Sequence, residues 1–305
     1  MTASPRSWPL HCRAALVEAI LAAADQFPRP GQDKANRIHD VRKTLKGAAG
    51  LARLFTPLVG APASRVLSAL EAARRSVGRA RDLDILPGVL ERLKGPARAQ
   101  EALLAVIAEQ REAERRAHRE IDVRGVAAQL RGLARSVETW DAETAGVEPL
   151  LLAVRRTYRA ARRLGHKALA SRDAGDLHAL RVRVVDLSYQ LTAFEPAWPA
   201  MFQAMERELQ RLRKALGDHN DLTVLAEFAR GRPELPPEEA EGLLALIARR
   251  RRPLERRAGE QFARLFSERP GAFERRIAAY LERPQQKPNA PARPTAKRPA
   301  SRPQG

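Results

Sequence analysis

His39-Asp40-Val41-Arg42-Lys43 and His178-Ala179-Leu180-Arg181-Val182 are two copies of one pattern, H-x-x-R inside a run of helix-forming residues. Each copy is followed by a second landmark. After the first comes Gly78-Arg79-Ala80-Arg81-Asp82-Leu83-Asp84-Ile85-Leu86, and after the second Gly217-Asp218-His219-Asn220-Asp221-Leu222-Thr223-Val224-Leu225. His39 to Asp82 and His178 to Asp221 are both separations of 43 residues, and both landmarks repeat at an offset of 139. Two independent features at one offset mark an internal duplication. The chain reads as two similar halves, about 9–139 and 140–283.

Apolar residues recur at helical spacing almost throughout, and alternating Val/Ile/Thr runs are absent. The spacing predicts an all-α chain with helices near 9–26, 33–56, 61–93, 97–120, 122–138, 146–170, 174–194, 198–230, 237–267 and 270–283. Pro28-Arg29-Pro30-Gly31, Gly95-Pro96, and Pro196 with Pro199 fall between predicted elements, where helix breakers belong. Residues 284–305 are rich in Pro, Ala and Gln and hold five cations and no acid. Without apolar residues for a core, they are predicted to be a disordered basic tail.

The 305 residues carry 55 Lys and Arg against 36 Asp and Glu, a formal charge of +19. Forty-seven of those cations are arginines. A guanidinium offers a planar fork of donors that matches phosphate oxygens, which a lysine point charge does not. The balance points to a polyanionic partner. Aromatic residues are 5 %, low for a protein that binds nucleic acid by stacking bases. The single cysteine, Cys12, excludes a disulfide framework and a cysteine-rich metal site. No run of 18 apolar residues exists, so no membrane span is expected, and a cytoplasmic protein is the default reading.

A helix turns about 100° per residue. With His39 at zero, Arg42, Lys43, Lys46 and Arg53 lie within about 60° of it. Val41, Leu45, Ala48, Ala52 and Phe55 lie opposite. One face is thus four cations and an imidazole, with no acid between them to form i,i+4 pairs. The second copy carries Arg181, Val182, Val185 and Tyr189 beside His178. The helix before it compensates: Arg155, Tyr158, Arg159, Arg162 and His166 share a face, with Arg163 at its margin. If the halves pack about a pseudo-twofold axis, these helices are expected to enclose a cationic groove, where low-dielectric walls focus the potential.

His39 and His178 are read as phosphate contacts or groove structure. The helices offer neither His-x-x-x-His nor Glu-x-x-His, so no metal site is assigned. Asp82 and Asp221 are expected to cap a turn or to pair with a groove arginine. Arg249 to Arg252, and Arg74 with Arg75, read as solvated helix ends or weak nucleic-acid patches. No P-loop, H-E-x-x-H or G-x-S-x-G motif occurs, so neither a catalytic residue nor a cofactor is assigned.

The duplicated H-x-x-R helix, followed by G-x-x-R-D-x-D and then L-G-x-x-N-D, resembles the CHAD family, the conserved-histidine α-helical domain. Arg81-Asp82-Leu83-Asp84 and Leu212-Arg213-Lys214-Ala215-Leu216-Gly217-Asp218-His219-Asn220-Asp221 carry the resemblance most specifically, and it spans about 9–283. It implies two four-helix bundles related by pseudo-twofold symmetry. It also implies binding of inorganic polyphosphate in a basic central channel and association with polyphosphate granules. By that likeness His39, Arg42, Lys46, His178 and Arg181 fall on the histidine helices, and Tyr189 matches the family's tyrosine. The chain departs from the pattern at Gly47, Ala49, Val185, Asp186 and Ser188, where basic residues are usual. The E-x-E-x-K strand of triphosphatase relatives is absent, so that activity is not carried over.

The expectation is therefore a non-enzymatic, all-α polyphosphate-binding protein. Its candidate ligands are His39, Arg42, Lys43, Lys46, Arg53, Arg155, Arg159, Arg162, Arg163, His178, Arg181 and Tyr189. The rival readings are a basic nucleic-acid-binding module, a metal-dependent phosphohydrolase using a histidine–carboxylate site, and an adaptor for an acidic protein. Bulk charge alone predicts weak nucleic-acid binding in any case.

Overall fold

The structure, a computed structural model, describes residues 7–27, 34–76, 81–117 and 122–282; side chains at 34–39, 81, 82, 115, 117 and 123 lie outside the description. The tail at 284–305, the His39 and Asp82 side chains, and the Pro28–Gly31 breaker therefore fall outside the described residues. All regular structure among the described residues is helical. The α-helices are α1 (Trp8–Asp25), α2 (Lys34–Ala52), α3 (Thr56–Val59), α4 (Ala61–Ser76), α5 (Arg81–Leu93) and α6 (Ala97–Ala117). They continue as α7 (Val123–Glu138), α8 (Glu148–Ser171), α9 (Ala174–Thr192), α10 (Pro199–Ala229), α11 (Pro237–Leu265) and α12 (Pro270–Glu282).

Local chemistry explains most of the boundaries. The Asp122 carboxylate accepts from the Gly125 amide at 2.8 Å and opens α7, while Asp173 accepts from the Asp176 amide at 2.9 Å and opens α9. Prolines occupy the first turn of α8, α10 and α11, where a missing N–H removes no helical bond.

The apolar face read for α2 is the buried one. Val41, Leu45, Ala48, Ala52 and Phe55 are all fully enclosed. Their counterparts at the repeat offset, Leu180, Val184, Leu187, Leu191 and Phe194, are buried in the same way. The duplication is thus a duplication of core positions. It continues along the next helices, where Leu70 and Leu209, Ala73 and Leu212, and Leu86 and Leu225 are buried pairs.

The core is divided by position along the helices rather than by repeat. One apolar cluster joins α1, α2, α4 and α7 to α8, α9, the first half of α10, the end of α11 and α12, with α2 packed on α9 as the seam between the repeats. A second cluster takes α5 and α6 from the first repeat and the ends of α10 and α11 that face each other from the second. Leu86, Leu90, Leu103 and Ile107 there meet Leu225, Ala226, Leu243 and Ile247. The expected helix 61–93 covers α4 and α5, with residues 77–80 between them outside the description, and its two ends serve different cores. In the second repeat α10 serves both cores as one helix of 31 residues, about 46 Å long at 1.5 Å per residue.

Candidate functional site: a basic basin at the repeat seam

Where α2 crosses α9, the two repeats leave a basin of about 230 Å³. Arg42, Lys43 and Lys46 of α2 line it, with Arg181, Val185 and Tyr189 of α9 and Gln210, Arg213 and Lys214 of α10. Six of these nine side chains are cations and none is acidic. Arg42 with Arg181, and Lys46 with Val185, are pairs at the repeat offset, so the basin is lined by corresponding positions of both repeats. The Arg42 Nη1 also reaches the Arg74 carbonyl at 3.5 Å. Arg74 and Arg75 are the repeat counterparts of Arg213 and Lys214, and that carbonyl contact ties α2 to the end of α4.

The basin walls are built closely. The Arg181 guanidinium lies against Gly217, where a Cβ would stand 3.3 Å from its Nη2. Arg213 is held over the Tyr189 ring at 5.4 Å and donates to the Ser188 hydroxyl at 2.9 Å. Glu206 lies 3.5 Å from Arg213, and Asp218 lies 3.0 Å from Lys214, so each takes part of one cation's charge from outside the lining.

Several departures from the family pattern acquire a physical reason here. A methyl on Gly47 would stand 3.0 Å from the Tyr189 ring, so the tyrosine occupies the space a basic side chain would need. Asp186, 4 % exposed, binds Arg53 at 3.0 Å and Arg183 at 2.9 Å. Burial pushes its carboxyl above the ordinary carboxylate range, against the pull of the two guanidiniums. Ser188 is buried and donates to Glu206.

The structure brings Arg42, Lys43, Lys46, Arg181 and Tyr189 together; the His39 side chain is outside the description, and the other expected ligands are not among the lining residues. Arg53 bridges Asp186 and Glu71, at 3.0 and 2.6 Å, and serves as a cross-repeat tie. The α8 arginines do not close the groove, because α12 and the end of α11 cover that side of α8. Arg155 binds Glu274 of α12 at 3.0 Å, and the Arg162 Nε donates to the Phe266 carbonyl at 3.0 Å. Tyr158, between them, is stacked on Phe273 with ring centroids 4.0 Å apart. Arg159 and Arg163 are exposed on the outer surface of α8. The exposed His178 donates from Nδ1 to the Asn220 carbonyl oxygen at 2.7 Å, tying α9 to α10 beside the basin.

Other motif residues turn out to be framework. Asp221 lies in the interior of α10, so it caps no turn. Asp84 binds Arg111 across α5 and α6 at 2.9 Å. His219 is 2 % exposed, and its Nε2 accepts from the Arg251 Nε at 2.9 Å. Burial, and then the Arg251 charge, hold its imidazole below the usual range. Arg251 thus belongs to the interior of the α10–α11 contact, whereas Arg249, Arg250 and Arg252 are exposed. Cys12 is fully buried, which raises its thiol pKa. Among the described residues, no group of three His, Cys, Asp or Glu side chains is placed to hold a metal, and no helix is long and apolar enough to cross a membrane.

Gln210, Arg213 and Lys214 line the basin without being among the expected ligands. Their signal is the spacing Gln210, Arg213, Lys214, Gly217, a polar stripe at i, i+3, i+4 and i+7 that ends on a small residue.

A helical duplication whose H-x-x-R helices meet at a cationic seam defines the class. The CHAD domain family model matches residues 13–230, and the chain belongs to that family. The crystal structure of the CHAD domain from the plant Ricinus communis shares the fold, with a TM-score of 0.56 at 18 % identity over 93 % of this chain and 94 % of that one. No curated protein matches this chain.

Proposed function

We propose that this protein binds inorganic polyphosphate in the basin between α2, α9 and α10, as a binding module rather than an enzyme. One observation carries the reading: six cations from three helices of both repeats surround one concavity with no acid among its described lining residues. A linear polyanion has oxygens along its whole length for such donors, and each bound phosphate releases counterions. Of the described lining residues only Tyr189 is aromatic, and its ring lies between Gly47 and the Arg213 guanidinium. That arrangement offers unpaired bases little to stack on, which favours polyphosphate over single-stranded nucleic acid. Association with polyphosphate granules follows from the same affinity.

The test compares two charge reversals of equal size. Arg42→Glu with Lys46→Glu is expected to lower polyphosphate affinity at least about tenfold at fixed salt. Arg249→Glu with Arg250→Glu, on the exposed face of α11, is expected to lower it far less. Equal losses, or displacement of polyphosphate by duplex DNA or RNA at equal phosphate concentration, would reduce the basin to bulk charge.

A further inference from the structure

Beyond the basin, Tyr189 also borders a second cavity. This cleft of about 430 Å³ is mostly apolar and lies further along the same α2–α9 crossing. Ala15 of α1, Leu51 of α2 and Ala193, Pro196 and Pro199 give its apolar walls, while His11, Thr192 and Glu195 bring polar groups to it. Among the described residues the two cavities differ in character: one is lined by six cations and no acid, the other by one carboxylate and no Lys or Arg. A single side chain forms part of both walls.

We infer that the paired cavities take a nucleoside polyphosphate, with the phosphates in the basin and the nucleoside in the cleft. The assignment rests on the basin's reading as a phosphate site and adds a specificity to it. Pockets of about 300–1,000 Å³ hold small organic ligands, so the cleft has room for a base and its sugar. Its composition suits a base better than more phosphate. Apolar walls and the His11 ring cover a planar face, and the Glu195 carboxylate accepts from ring and exocyclic N–H groups while repelling phosphate. Glu195 is held by the Gln203 amide, which donates to its Oε1 at 2.8 Å. The His11 ring is fixed edge-on against Trp8, with centroids 5.5 Å apart. Charge and apolar surface thus set the ligand's direction: the anionic end lies toward Arg42 and Arg181, the base toward Leu51 and Pro196.

Calorimetric titration of the full chain with ATP, tripolyphosphate and adenosine, in chelator to remove divalent ions, tests this. By charge alone ATP should be the weaker ligand, since one terminal phosphate is esterified. The cleft predicts the reverse, with ATP at least about tenfold tighter than tripolyphosphate. Ala15→Leu, which fills the cleft without touching the basin, should abolish that advantage and leave tripolyphosphate binding unchanged. On the unaltered chain, photolabelling with 8-azido-ATP should mark peptides containing Leu51 or Thr192–Pro199. ATP no tighter than tripolyphosphate, or label found only elsewhere, would overturn the inference while polyphosphate binding stands. Failure of tripolyphosphate and longer polyphosphate to bind at all would overturn the basin's reading, and this one with it.

Discussion

The Arg181 guanidinium rests on Gly217, with only 3.3 Å between its Nη2 and the place a Cβ would take. The contact links the two parts of the repeated motif, the arginine of H-x-x-R and the glycine that opens the downstream landmark. It also lets a cation of α9 lie flat on α10 at the basin wall.

This contact predicts two substitutions of opposite effect. Gly217→Ala should stabilise α10 by about 0.5–1 kcal/mol, because glycine is a poor interior helix residue, and the flexible end of Arg181 can give the few tenths of an ångström required. Gly217→Leu should displace Arg181 and weaken polyphosphate binding several-fold with helical content preserved. Chemical denaturation and titration of both variants separate the two effects.

Arg53 and Asp186 make the corresponding structural link. Asp186→Ala would leave Arg53, 18 % exposed at its side chain, with Glu71 at 2.6 Å and the Ala49 carbonyl at 3.3 Å. The expected cost is about 1.5–3 kcal/mol, since the guanidinium loses one charge-assisted hydrogen bond while keeping its other partners. Arg53→Met with Asp186→Leu should recover most of it, as apolar replacement of both partners often does. Urea unfolding midpoints are the measurement.

Salt dependence should report the number of cations engaged. With the six basin cations each neutralising one phosphate, the slope of log K against log salt is about −4, taking about 0.7 per contact as for a single-stranded polyanion. Lys214→Ala should make the slope shallower by about 0.7. A slope unaffected by Lys214→Ala would place that lysine outside the bound phosphates.

Tyr158 predicts an alkaline weakness. Burial pushes its phenol up to about 12, from an ordinary value near 10. Between those pH values the unfolded chain releases this proton and the folded chain keeps it, so stability falls as pH rises through that window. Tyr158→Phe keeps the ring but loses the hydroxyl's bond to the Leu265 or Glu268 carbonyl, 3.2 and 3.3 Å away. The variant should be about 1 kcal/mol less stable at neutral pH, with a flatter stability profile above pH 10. Denaturation midpoints measured across pH 8–11 check both statements.

Some of the basin was legible in advance. The apolar side of α2 follows from positions along one helix and is the buried one, and Arg42, Lys43 and Lys46 of its expected cationic face line the basin. The α8 arginines show the complement of that success. Arg155 and Arg162 share a face as periodicity requires, yet Glu274 and the Phe266 carbonyl, more than 100 residues away, take them up. Arg53 was grouped with Arg42 on the α2 wheel for the same local reason, and Asp186 claims it from the other repeat.

By itself, then, the sequence determined what is local and periodic: helices throughout, their duplication at an offset of 139, and which side of each is apolar. Tertiary structure alone decided which cations share a cavity. It brought Gln210, Arg213 and Lys214 to the α2–α9 crossing and put α12 over the arginines of α8. The reason is electrostatic. A helix's own spacing fixes the direction in which a guanidinium points, but its role depends on the charges and carbonyls that packing sets within a few ångströms of it.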